Sequence, residues 1–588
     1  MFRGAASTRL RSRRLAPSDG FRAGPPLAHL TSFSFSDLRR GRLGSPRLDG
    51  WTWSAILIAA ALSAPILIVL AHLATPRIEV WRHLAQTTLG GYVLTSFGLL
   101  LGVCAGAATI GVATAWLVSM CRFPGRRIFE WALLTPMAAP AYVLAYTYAG
   151  LLDVAGPVQG FLRATTGLSV GQYWFPEIRS LGGAIAMLTL VLYPYVYLLV
   201  RAAFLNQSVC ALEVARTLGH GPWRSFWRVA LPLARPALAG GVALVGMETL
   251  NDFGTIQHFA VDAFTTGIYR AWFGLGDPTA AAQLGGLLML FILALLLLER
   301  SSRGDARYHH TSPRHRALPR FALSPFAALL AMLACFLPIL LGFLLPCSVM
   351  LAWAIETAPQ VIDARFWGFA RNSLTLSAAT ALIAMALALL LAYGLRLSRS
   401  PLLRSAVRVA TLGYAAPGAV VAIGLLIAFG WADRALSSLF ELFGAAPGVI
   451  IGGSVVALIY AYVVRFLAVS MNAAEAGLAK VTPALDGAAR TLGEGYFGVL
   501  RRVHAPMLRG SLLAGGLLVF VDTMKELPAT MILRPFNFDT LAVRSFQFAR
   551  DELLREASSP GLAIVLAGIL PVILLARAMD RSRPGHSA

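Results

Sequence analysis

Residues 213–232 read EVARTLGHGPWRSFWRVALP and lie between two long apolar runs. The stretch carries three arginines, one histidine and two tryptophans. Five of its residues, Ala215-Arg216-Thr217-Leu218-Gly219, recur unchanged as Ala489-Arg490-Thr491-Leu492-Gly493, 274 positions later. A polar element kept in duplicate inside apolar sequence points to a chain built twice from one plan.

The composition sets the solvent in which that plan operates. The 588 residues are 57% hydrophobic and 13% charged, against about 25% charged in an ordinary soluble protein. This is a membrane-class composition. The formal charge of +22 does not indicate nucleic acid, because the arginines cluster in short segments between apolar runs. Cys104, Cys121, Cys210, Cys335 and Cys347 lie in or beside those runs without CxxC spacing, which argues against a disulfide framework or a zinc site. Residues 1–50 are rich in Arg, Ser, Gly and Pro and read as a disordered basic tail.

A helix needs about 20 mostly apolar residues to cross the hydrocarbon core. Candidate spans fall near 52–72, 95–120, 131–151, 182–204, 237–258 and 284–298, and again near 322–352, 372–395, 409–431, 449–469, 510–530 and 561–577. That predicts an all-α membrane protein of twelve transmembrane helices, six in each half. Every second connection is basic, beginning with the N-terminal tail, so both termini are expected on the cytoplasmic side.

The halves keep register. Pro124 pairs with Pro401 and Ala139-Pro140 with Ala416-Pro417 at an offset of 277; Gly219, Pro232, Thr249 and Arg270 then pair with Gly493, Pro506, Thr523 and Arg544 at 274. Because each half has an even number of spans, the two are parallel repeats related by an axis along the membrane normal, with a substrate path between them. The first repeat is expected over 51–299 (core about 91–299) and the second over 321–578 (core about 368–577), followed by a short tail at 579–588. The linker at 300–320 carries His309, His310 and His315 without a carboxylate or cysteine at ligand spacing, and reads as solvated rather than metal-binding.

The duplicated element is built as a knob. Glu213 to Leu218 is helix-competent, Gly219 can take positive φ at the helix end, and Gly221-Pro222 makes a break. Trp223 to Leu231 is then expected to form a second short helix ended by Pro232, and residues 487–506 repeat the plan with Gly493, Gly495 and Pro506. An interfacial anchor would explain the Trp and Arg content, but lipid does not demand glycine and proline at matching positions in both copies.

Residues 213–219 and 487–493, each followed by Pro232 or Pro506, resemble the EAA loop of ABC importer permeases. The family pattern is kept at Ala215, Gly219, Val229 and Leu231-Pro232, and at Ala489, Gly493, Val503 and Pro506. Val214 replaces an alanine, Gly487 the glutamate and Ala505 a leucine; Asp486 stands one residue early as the candidate acid. The resemblance covers about 91–299 and 368–577. It implies the type I ABC importer permease fold in a bacterial inner membrane. The two loops, with Glu213, Arg216, Asp486 and Arg490 among their coupling residues, would each dock on one subunit of a separate ATPase dimer. A periplasmic binding protein would deliver substrate. The chain's lysines, Lys480 and Lys525, follow Ala479 and Met524, so it has no Walker A loop. It is expected to bind no cofactor, with ATP used by the partner.

The fifth span carries Glu248 and Asp252, four apart and so expected on one helical face, and the eleventh carries Asp522 and Glu526 at offset 274. Ionisable residues at such depth face a cavity or a partner. They are candidates for a cation path or gate; pairing with Arg270 or Arg544 is the structural alternative. Residues 526–530, Glu-Leu-Pro-Ala-Thr, should break the helix. The stretches 251–274 and 525–546 look like those of fused ferric-iron permeases, which implies iron(III) as cargo, with thiamine or phosphonate permeases as competitors. A proton-coupled secondary transporter also offers two parallel six-span halves, but has no ATPase for two such loops to meet. No nucleophile–base or metal-ligand constellation suggests an enzyme.

Overall fold

A computed structural model describes residues 50–74, 78–205, 221–303, 320–398, 400–442 and 451–581. Nearly all of the basic tail, Glu213, Ala215, Arg216 and Gly219 of the first loop, and the linker histidines lie outside the described residues.

The first half comprises α1 (Gly50–His72), α2 (Ile78–Thr87), α3 (Leu89–Met120), α4 (Arg126–Ala132), α5 (Ala141–Leu152), α6 (Pro157–Thr166) and α7 (Leu181–Leu205). After the first loop come α8 (Pro222–Ser225), α9 (Leu231–Asn251), α10 (Gly254–His258), α11 (Phe264–Tyr269) and α12 (Pro278–Arg303). The second half opens with α13 (Pro325–Ile339) and α14 (Leu345–Val361), then α15 (Ala364–Leu397), α16 (Pro401–Thr411), α17 (Gly418–Glu441) and α18 (Val455–Leu478). It closes with α19 (Pro483–Thr491), α20 (Tyr496–Val499), α21 (Ala505–Met524), α22 (Pro528–Leu533), α23 (Leu541–Arg550) and α24 (Ser558–Arg581). One departure from an all-helical chain is a parallel pairing of Cys121–Arg122 with Phe321–Ala322.

Ten helical segments of the described residues are long and apolar enough to cross a membrane. The third predicted span is broken, its two helical parts meeting at 90° before and after Pro140. Pro140 has no N–H to continue a helix and holds an extended backbone, capping α5. The twelfth predicted span falls on α24, whose apolar part is Ser558–Pro571. Each of the twelve expected segments overlaps helix, but the third, fifth, ninth and eleventh are interrupted, at Pro140, Asp252, Pro417 and Lys525 respectively.

The repeat is visible element by element. Helices α3 and α15 correspond, as do α7 and α18, α9 and α21, and the short α10 and α22. The halves are also interlocked. Helix α1 packs on α16 and α17 of the second half, while α13 and α14 pack on α3, α4 and α5 of the first. Ala55, Ala59 and Leu62 of α1 consequently belong to the apolar core of the second half.

Pro232 and Pro506 do not end a helix, contrary to expectation. Each follows one five-residue π-helical turn, Phe226–Ala230 or Leu500–His504, and the helix runs on through α9 or α21. Leu231 N–H bonds to Phe226 O, and Ala505 N–H to Leu500 O. A proline ring clashes with the carbonyl four residues back; widening the preceding turn relieves that clash without breaking the helix.

Candidate functional site

Two places gather the polar residues singled out by the sequence: a cleft between the halves and the second loop.

The cleft holds about 850 Å³, part of it open to solvent. Glu248, Asp252, Asp522 and Glu526 all line it, together with Tyr142, Tyr195, Asn251, Tyr414, Arg465 and Lys525. Glu248 and Asp252 do not share a helical face, because α9 stops at Asn251 and Asp252 takes an extended conformation (ψ 133°). They still meet in one cleft, for the break redirects the chain into α10.

The break has a chemical cause. Asp252 Oδ1 accepts the N–H of Thr255 at 3.0 Å and of Ile256 at 3.2 Å, and Oδ2 accepts the Thr255 hydroxyl. The carboxylate thus caps α10. In the second half α21 ends at Met524, and Glu526 accepts the N–H of Ala529 at 3.0 Å and of Thr530 at 3.2 Å. The helix interruption expected at 526–530 is present, and its acid caps α22.

Neither Arg270 nor Arg544 pairs with these acids. Arg270 bonds to Asp262 and Tyr92, and Arg544 bonds to Gln547 while stacking 3.9 Å above Phe548. The counter-charges come from elsewhere: Arg465 Nη1 donates to Glu526 Oε1 at 2.5 Å, and Lys525 Nζ lies 2.9 Å from Asp522 Oδ1. Glu248 accepts the Tyr414 hydroxyl at 3.1 Å, a contact that joins the halves. Sequence reasoning missed Arg465 and Tyr414. A lone arginine within the apolar run 449–469 was the available signal, since a charge at that depth implies a partner.

In the second loop, Gly493 adopts φ +87°. Its N–H bonds to Arg490 O at 3.0 Å and that of Glu494 to Ala489 O at 3.1 Å. This pair of bonds closes α19 in the Schellman arrangement, which favours glycine at that position. Ala489 is buried, whereas Arg490, Leu492, Tyr496 and Phe497 are exposed, and Arg490 lies 4.5 Å over the Tyr496 ring.

Asp486 anchors this knob. Arg396 Nε donates to Asp486 Oδ2 at 2.9 Å, while the same guanidinium donates to Leu478 O and Val481 O, each at 2.9 Å. The fully buried His504 brings Nε2 to 2.9 Å from Asp486 Oδ1, off the line of a hydrogen bond. The acid one residue before Gly487 therefore ties the knob to the end of α15. In the first copy the described part is Gly221 onward, where Trp223 and Trp227 are exposed and the Phe226 ring lies 5.1 Å from that of Trp116.

Residues 107–301 match the family of binding-protein-dependent transport system inner membrane components. The chain is 26% identical over 490 residues to the Fe(3+)-transport system permease protein FbpB 2 of Haemophilus influenzae, covering 82% of this chain and 89% of that one. This chain resembles the inner-membrane permeases of binding-protein-dependent transport. The permease is also 23% identical over 520 residues to the ferric transport system permease protein FbpB of Actinobacillus pleuropneumoniae, covering 85% of this chain and 72% of that one. The molybdenum transport system permease protein ModB of Escherichia coli K12 is 28% identical over 200 residues, covering 33% of this chain and 84% of ModB. A relative of that length matches about one repeat, whereas the ferric permeases match both, as a fused chain requires. These relatives are transport system permease proteins, and the protein is a transport permease rather than an enzyme.

Proposed function

We propose that this permease is the membrane subunit of an iron(III) importer. It takes cargo from a substrate-binding protein on the outer face and is driven by a separate ATPase dimer beneath it. The carrying observation is the charge of the cleft. Four carboxylates and two cations line it, a formal balance of −2. At low effective dielectric such an imbalance attracts a cation and repels sulfate, molybdate or phosphonate. The cargo named for the two ferric relatives agrees with that sign.

Coupling is assigned to the two loops. The second presents Arg490, Leu492, Tyr496 and Phe497 on a knob shaped by Gly493 and held by Asp486. An apolar, arginine-bearing projection suits a socket in a partner, and a two-fold ATPase dimer offers two of them. The matching first projection would carry Glu213, Ala215, Arg216, Gly219 and Pro232. The chain itself would hold no cofactor. Both termini would lie on the ATPase side.

The test is iron uptake into proteoliposomes containing the permease, its ATPase and an iron-loaded binding protein. Uptake should need ATP, resist competition by sulfate or thiamine, and fail with Gly493→Glu. Uptake driven by a proton gradient without ATPase would favour a secondary transporter.

A further inference from the structure

The two walls of the cleft are equivalent by the repeat but unlike in charge. Glu248 corresponds to Asp522 and Asp252 to Glu526, each 274 positions apart. On the second wall both acids have a cation: Lys525 for Asp522 and Arg465 for Glu526. On the first wall the places of those cations are held by Asn251 and Val191, which also line the cleft. Among the described residues no Lys, Arg or His makes a direct ion pair with Glu248 or Asp252, and Lys525, which acts on Glu248 through space, makes its contact with Asp522.

A second observation falls on the same wall. The Tyr142 hydroxyl and both amide atoms of Asn251 are buried without a hydrogen-bond partner, in side chains only 4% and 5% exposed. Buried polar atoms normally have partners, and these line a cleft into which a ligand can come. Together with Glu248, Asp252, Tyr195 and Tyr414 they offer carboxylate, phenol and amide oxygens, the donor set preferred by hard cations.

We infer that the first repeat's wall, built on Glu248, Asn251, Asp252 and Tyr142, is the transit site for a hard, oxygen-seeking cation, while the second wall is neutralised by its own Lys525 and Arg465. This assigns the cargo an off-axis position and rests on the iron(III) reading. No three His, Cys, Asp or Glu side chains of the described residues converge as a metal cage. That suits passage, which requires binding weak enough to release.

Terbium(III), a hard trivalent probe whose emission is sensitised by nearby tyrosine, tests the site on the full chain purified in detergent. Glu248→Gln and Asp252→Asn should each weaken terbium binding by about tenfold or more, and Asp522→Asn should not. Asn251→Lys, which copies the second wall's cation onto the first, should abolish it. Lys525→Asn should open a second equivalent of binding. Equal losses from Glu248→Gln and Asp522→Asn, or an unaffected Asn251→Lys variant, would overturn the assignment. If the walls differ as stated but proteoliposomes import no iron, the iron reading fails and the site stands. If iron is imported and all these variants bind terbium alike, the site fails and that reading stands.

Discussion

Asp252 and Glu526, 274 positions apart, each cap the short helix that follows them, and only Glu526 has a guanidinium, Arg465, at 2.5 Å. The same sequence position is therefore a cap in one half and a cap plus an ion pair in the other. Removing the two acids should have unequal consequences. Asp252→Ala should cost about 0.5–2 kcal/mol through the lost cap, and Asp252→Asn much less. Glu526→Ala also strands the buried Arg465, with an expected cost of about 3–5 kcal/mol. Thermal unfolding in one detergent should rank the three variants in that order.

Gly418 lies beneath this ion pair. A Cβ added there would stand 2.5 Å from Glu526 Oε1 and 2.9 Å from Arg465 Nη1. Gly418→Ala should displace the pair, destabilise the protein by about 1–3 kcal/mol and depress transport. The first repeat carries alanine at the matching Ala141, where no such pair is present. Ala141→Gly should therefore be far milder in the same assay.

The second loop separates anchor from surface. Asp486→Ala should loosen α19 by removing the acceptor for Arg396, lowering transport-coupled ATP hydrolysis with little change in membrane insertion. Gly487→Glu should be tolerated, since a Cβ at Gly487 meets nothing within 4 Å. ATPase rates of the assembled complex check both. A severe Gly487→Glu defect would mean that the departure from glutamate is itself functional.

Arg179 joins the halves at the end of α7 remote from the coupling loop. Its Nη1 and Nη2 donate to both carboxylate oxygens of Glu552 at 2.7 and 2.6 Å, and Nε to Asp153 at 3.1 Å. These bonds hold the Glu552 carboxyl below its ordinary range. Its contribution is therefore present above the unfolded value of about 4.3 and is lost as pH falls through the lower folded value. Glu552 is 59% exposed, so the pair is worth about 0.2–1 kcal/mol. The stability gap between wild type and Glu552→Gln should close on acidification and stay constant above pH 6.

Much of this was legible in the residues, and the exceptions differ in cause. Gly493 declared its positive φ because a repeated glycine ended a helical run. The break after Lys525 was legible from Glu-Leu-Pro. Pro506 was misread, because a widened turn upstream accommodates its ring and nothing in the local sequence announces that turn. Asp252 was placed on a helical face although Asp-Phe-Gly-Thr is itself a cap signal. Arg465 and Tyr414 were missed because their partners, Glu526 and Glu248, are 61 and 166 residues away. Such pairings depend on how the helices of both halves pack, which hydrophobic spacing does not encode.

The central claim is that this chain passes iron(III) between its two halves under ATP drive. ATP-dependent uptake of radioactive iron into proteoliposomes, by wild type and by Glu248→Gln, tests it most directly. Uptake by wild type that needs ATP and the binding protein, and falls at least about tenfold in the variant, is the predicted result. Absence of ATP-driven iron uptake in a complex that imports sulfate, molybdate or thiamine would contradict it.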